Sequence, residues 1–149
     1  MNLIYNFNET ELEFLREFKL LLLQGFVVKK ICKWFYLFRT LKYNTDTDEL
    51  FWNSKKKHTN YFKLNQIKIK KNPTIDGISK ELSQKILILN CENKEMTIEF
   101  FNNYSCELFY DGMNLLIAEI KNKNLLLQNK RYKQRNLLKK ILIEHKEED

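Results

Sequence analysis

Apolar positions recur at helical spacing over residues 8–24 and then switch to short alternating runs. Leu12, Leu15, Phe18 and Leu22, with Phe14 and Leu21 beside them, make one broad apolar face and predict an amphipathic helix. Thr10 and Glu13 have capping-box spacing at its start, and Gly25 ends it. From Phe26 onward the period becomes two. Strands are expected at 26–31, 36–43, 50–53, 61–64, 66–70, 85–89 and 96–101. Turn chemistry separates them: "NTDTD" at 44–48, "SKKKHTN" at 54–60, Asn72-Pro73 and Asp76-Gly77 within 71–80, and "NCENKE" at 90–95.

In the second expected strand, Tyr36, Phe38, Thr40 and Lys42 share one face, and Leu37, Arg39, Leu41 and Tyr43 the other. In the last, Met96, Ile98 and Phe100 point one way. Helical spacing then returns with Leu108, Phe109, Met113, Leu116, Ile117 and Ile120. Beyond Asn122, Leu137, Leu138, Ile141, Leu142 and His145 give a further amphipathic helix. The order helix, about seven short strands, helix predicts a mainly β fold with α. Its form is a seven-stranded antiparallel barrel or orthogonal sandwich, capped by a C-terminal helix. An extra helix precedes it and a helical extension follows. Residues 8–122 read as one domain, and 123–149 as a basic helical extension.

Composition narrows the function. The 149 residues carry a net charge of +7, and the excess is local. Residues 26–71 hold twelve Lys and Arg against three Asp and Glu, whereas residues 72–149 balance. Such a concentration suggests an anionic partner: lipid headgroups, nucleic acid or an acidic protein. Three cysteines, Cys32, Cys91 and Cys106, stand far apart with no CxxC, which argues against a disulfide scaffold or a zinc site. Three glycines and no GxGxxG or Walker pattern argue against a phosphate loop. His58 and His145 belong to no triad, no paired carboxylates suggest a cleft, and no cofactor or metal is expected. The chain reads as a non-enzyme.

No run reaches the ~18–20 apolar residues of a membrane-spanning helix. The first residues do not form a signal peptide, and Asn2 stands where N-myristoylation needs glycine. Membrane contact, if made, is expected from the surface, with the protein cytoplasmic and peripheral.

The pattern resembles a pleckstrin homology (PH) domain over about residues 10–120, particularly the phospholipase C delta type and small apicomplexan PH-like proteins. "LLLLQGFVVKK" is similar to the family's opening segment, and "KKICKWFYLFRTLKY" to its first hairpin. "ELFWNSKKK" is similar to its third strand and basic loop, and "KLNQIKIKKNPT" to its central segment. "KILILNCENKEMTIEF" is similar to the penultimate hairpin, and "ELFYDGMNLLI" to the closing helix. Phe109 stands where PH domains usually carry tryptophan.

The resemblance implies phosphoinositide or other anionic headgroup binding, phosphatidic acid included. Carried over by position, the headgroup residues are Lys29, Lys33, Arg39, Ser54, Lys55, Lys56 and Lys57. Tyr36 and Phe38 would build the barrel wall while the cations converge at its open end. Lys30 is expected on the face opposite Lys29. Trp34, at the hairpin tip, is read either as packed on the barrel or as a membrane contact, while Trp52 is read as core. The rival reading is a PH-fold protein-interaction module. Its partner would dock on the basic face or on the C-terminal helix, where Leu125–Leu127 and the 137–142 stripe would otherwise be exposed. Strand-buried aromatics and the lack of an RNA-binding signature argue against nucleic acid.

Overall fold

A computed structural model describes residues 3–53 and 59–147. The chain begins with α1 (Glu9–Gln24), followed by β1 (Phe26–Ile31), β2 (Tyr36–Asn44), β3 (Glu49–Asn53), β4 (Thr59–Lys63) and β5 (Lys68–Lys71). The short α2 (Lys80–Ser83) leads into β6 (Ile86–Cys91) and β7 (Lys94–Glu99), and α3 (Asn103–Glu147) closes the chain. The seven strands form one antiparallel sheet in the order β4-β3-β2-β1-β7-β6-β5. The predicted architecture is therefore the observed one: a PH-like β-sandwich capped by a helix.

Local chemistry explains most boundaries. The N-cap of α1 is Asn8 rather than the expected Thr10. The Asn8 side chain accepts from the Glu11 N–H, and the Glu11 carboxylate accepts from the Asn8 N–H. Leu15, Phe18 and Leu22 are buried, whereas Leu12 and Leu21 stay exposed, so the inward stripe is narrower than the sequence suggested. Gly25 turns the chain from α1 into β1 at φ 113°, and a Cβ there would meet Thr40 Cγ2 at 2.5 Å. Ser79 caps α2, inside a stretch read from sequence as loop.

The core runs along the inner face of the sheet. Val28, Leu41, Tyr43, Leu50, Trp52, Phe62, Leu87, Leu89, Met96, Ile98 and Phe100 contribute to it. From the helices come Phe18, Leu22, Phe109, Met113 and Leu116. Trp52 is core, as expected. Phe109 is fully buried against Phe18, Phe26 and Phe100, with ring centroids 5.2–5.9 Å apart.

The closing helix and the extension, expected as two helices, are one uninterrupted helix of 45 residues. No glycine or proline follows Gly112, so no residue there breaks the backbone ladder. Its first half lies on the body, while residues from Leu126 to Lys146 are exposed throughout.

Candidate functional site: the open end of the sheet

Three connections gather at one end of the sheet. The β1–β2 hairpin has its tip at residues 32–35. The paired ends of β3 and β4, Asn53 and Thr59, lie toward that same end. The β6–β7 turn at Glu92 and Asn93 joins them, because Thr97 pairs with Ile31 near the end of β1. The β2–β3 turn at residues 45–48 lies at the other end of β2.

Cross-strand partners share a face, so register decides which cations can meet. Val28 pairs with Arg39, Lys30 with Leu37 and Lys29 with Phe38. Val28 is buried, so Arg39 and Lys30 belong to the inner face. Lys29 belongs to the outer face with Tyr36 and Phe38, each 56% exposed. Tyr36 and Phe38 therefore do not form the inner wall. Their outward position follows from Leu41 and Tyr43, which bury the other side of β2.

Lys29 and Arg39 consequently do not converge. The Lys29 ammonium lies 3.2 Å from a Glu99 carboxylate oxygen and 4.4 Å from the centroid of the Tyr36 ring. Its charge is engaged across the outer surface. Among the described residues Arg39 reaches only the Phe38 carbonyl, with Nη1 at 3.0 Å, and its buried Nε has no partner there. Among the described residues, no carboxylate forms an ion pair with Arg39 or Lys30. The inner-face cation that sequence carry-over missed is thus Lys30. Alternation along β1 set Lys30 opposite Lys29, and the burial of Val28 and Leu41 turns Lys30 inward.

Lys33 and Trp34 occupy the hairpin tip. Trp34 is 85% exposed, with the Lys33 ammonium 5.4 Å from its ring centroid. Trp34 is therefore no part of the core, and Phe35 beside it is exposed as well. Ser54, Lys55, Lys56, Lys57 and His58 lie outside the described residues. On the outer face, a groove of about 270 Å³ is lined by Lys29, Phe38, Lys85, Glu99, Phe100 and Phe101. It extends the aromatic and basic surface from Phe38 to the exposed Phe101.

Among the described residues no cluster of His, Cys, Asp or Glu is placed to hold a metal ion. No described helix is long and apolar enough to cross a membrane. The Cys106 thiol is pushed up to about 11 by burial, the opposite of what a nucleophile needs. Burial and the Asp48 hydrogen bond raise the Tyr43 phenol, which donates to Asp48 Oδ1 at 2.9 Å. Both groups are structural.

No family model and no curated protein matches the chain. Solved structures do. Inner membrane complex sub-compartment protein 1 (ISP1) from Toxoplasma gondii superposes with a TM-score of 0.57 at 16% identity, over 79% of this chain and 99% of that one. Sub-compartment protein 3 (ISP3) from the same organism gives 0.55 at 9% identity, over 80% and 91%. The PH domain from TgAPH gives 0.51 at 17% identity, over 76% and 93%. At such identities the likeness establishes the fold alone. The chain has a PH-like fold, the fold of a broad group that includes membrane-targeting modules.

Proposed function

We propose that the protein is a non-catalytic module that docks on an anionic membrane surface through the open end of its sheet, as a peripheral, cytoplasm-facing protein. The observation that carries this reading is Trp34, exposed with Phe35 on a hairpin tip flanked by Lys33. Tryptophan favours the membrane–water interface, where its ring is partly apolar and its N–H stays hydrated. Behind the tip, Lys30 and the unpartnered Arg39 Nε face inward at the same end. Arginine offers a phosphate a bidentate fork and lysine a point charge. Ser54, Lys55, Lys56 and Lys57 join the headgroup set by sequence position. Lys29, held by Glu99, contributes less to it. A phosphoinositide or phosphatidic acid headgroup matches this chemistry.

Each lysine or arginine near an anionic leaflet contributes about 1 kcal/mol, roughly fivefold in partitioning. Removing Lys30 and Arg39 together should therefore weaken binding by roughly 30-fold. The test is liposome co-sedimentation at physiological salt with neutral vesicles and with vesicles bearing phosphoinositides, phosphatidic acid or phosphatidylserine. Wild type should pellet with anionic vesicles only. Lys30→Ala/Arg39→Ala and Trp34→Ala/Phe35→Ala should stay in solution, and Lys29→Ala should pellet nearly as well as wild type. Absence of pelleting with every anionic vesicle would end the membrane reading. The rival reading, a protein-interaction module, is favoured by one separate feature, the free half of α3.

A further inference from the structure

The face of α3 that builds the core does not stop at the edge of the domain. Steps of two helical turns from Met113 lead through Ile120 to Leu127 and Ile141, and steps of three turns from Leu116 lead through Leu127 to Leu138. Met113 and Leu116 are fully buried, whereas Leu127, Leu138, Ile141 and Leu142 are 42–58% exposed. The stripe thus continues for about 31 Å past the body along residues 126–146, with nothing packed on it among the described residues. Its centre is basic: Lys130, Arg131, Lys133 and Arg135 separate the Leu127 end from the Leu138–Leu142 end. Between Ile120 and Ile143 the helix carries eight Lys and Arg and no Asp or Glu. The neutral balance of residues 72–149 conceals this block.

Charge and position select the occupant. A second copy laid along this helix, in either direction, sets cations against cations. A flat bilayer binds a helix in proportion to its buried apolar face, and Lys130, Arg131 and Gln134 divide this one in two. The helix also leaves the body past the β2–β3 turn, where Lys123 reaches Asp48 at 3.4 Å. That turn lies the length of β2, roughly 25–30 Å, from the Trp34 tip. A membrane held at the tip is therefore at the wrong end. What remains is a protein groove with apolar pockets for both ends of the stripe and carboxylates for its centre. Helix-in-groove recognition uses this combination, and a basic amphipathic helix is its usual ligand.

We propose that residues 126–146 of α3 form a docking helix for an acidic, methionine-lined groove of the EF-hand sensor type. The juxtaposition of two apolar ends, a four-cation centre and an unpartnered helix carries this assignment, which does not depend on the membrane reading.

Calorimetric titration of the full chain with calcium-loaded calmodulin tests it, because calcium opens such a groove in that protein. The expected result is a 1:1 complex in the micromolar range or tighter, lost in EGTA. Leu127→Asp/Ile141→Asp should weaken it at least tenfold while circular dichroism and the melting profile of the domain persist. Trp34→Ala/Phe35→Ala should bind as wild type, which separates this assignment from membrane docking. No complex at about 100 μM, a complex indifferent to calcium, or one indifferent to the Leu127 and Ile141 substitutions would overturn the proposal. So would light scattering that shows a wild-type dimer dispersed by Leu127→Asp/Ile141→Asp. Vesicle pelleting abolished by that same pair would overturn it equally, naming a bilayer as occupant.

Discussion

Gly112 offers a quantitative test of how α3 is held to the body. A Cβ built there would lie 2.4 Å from Phe18 Cγ and 2.5 Å from both Cδ atoms. Carbon atoms settle at about 3.5–4.0 Å, so alanine requires the ring or the helix to withdraw by about 1 Å. The ring has little room. Phe18 is buried, stacks on Phe14 with centroids 6.3 Å apart, and meets Phe109 edge-on at 5.9 Å. Contact at Cγ, the root of the ring, is not relieved by turning the side chain about its own axis. Overpacking of this kind costs about 1–3 kcal/mol, and a clash with three ring atoms belongs at the upper end. Alanine returns about 1 kcal/mol in helix propensity, because Gly112 sits inside a helix. The expected net loss for Gly112→Ala is therefore about 2 kcal/mol, or about 4–8 °C in melting temperature. Thermal and urea unfolding followed by circular dichroism would measure it. Adding Phe18→Leu should couple favourably with Gly112→Ala by at least about 1 kcal/mol, since the shorter side chain admits the methyl. A Gly112→Ala protein as stable as wild type, or strictly additive effects in the double variant, would refute the packing argument.

Two further outcomes are expected. In the native protein at pH 8, iodoacetamide should modify Cys32, which is half-buried, far faster than Cys91 or Cys106, which are buried. Equal labelling of all three by mass spectrometry would contradict the core assignment. Glu11, which accepts from the Tyr5 hydroxyl and the Asn8 N–H, is held below the usual carboxylate value by those bonds. Its stabilising effect is thus present above the unfolded carboxylate pKa and disappears as pH falls through the lower folded value. NMR titration should place the Glu11 midpoint below the usual carboxylate value, and the protection of amides at the start of α1 should fall only in acid.

The order and type of the elements were legible in the sequence because each is a local signal. Alternation from Phe26 to Ile31, the turn residues of "NTDTD" and the Gly25 stop each act within a few positions. Trp52 as core was equally legible from its apolar strand, and Phe109 lies on the apolar face that helical spacing marked in the closing helix. Alternation even separated Lys29 from Lys30. It could not say which of the two faced inward, because β2 carries aromatics on one side and Leu37, Leu41 and Tyr43 on the other. Only burial of β2 against the helices decided that, turning Tyr36 and Phe38 outward and bringing Lys30 and Arg39 to the same side. Glu99, distant in sequence, pairs with Lys29 because β7 lies beside β1, a long-range pairing that no local pattern encodes. The apolar stripe of α3 was likewise visible in the sequence. That residues 126–146 have nothing packed on them among the described residues follows from where the body ends and not from the helix itself.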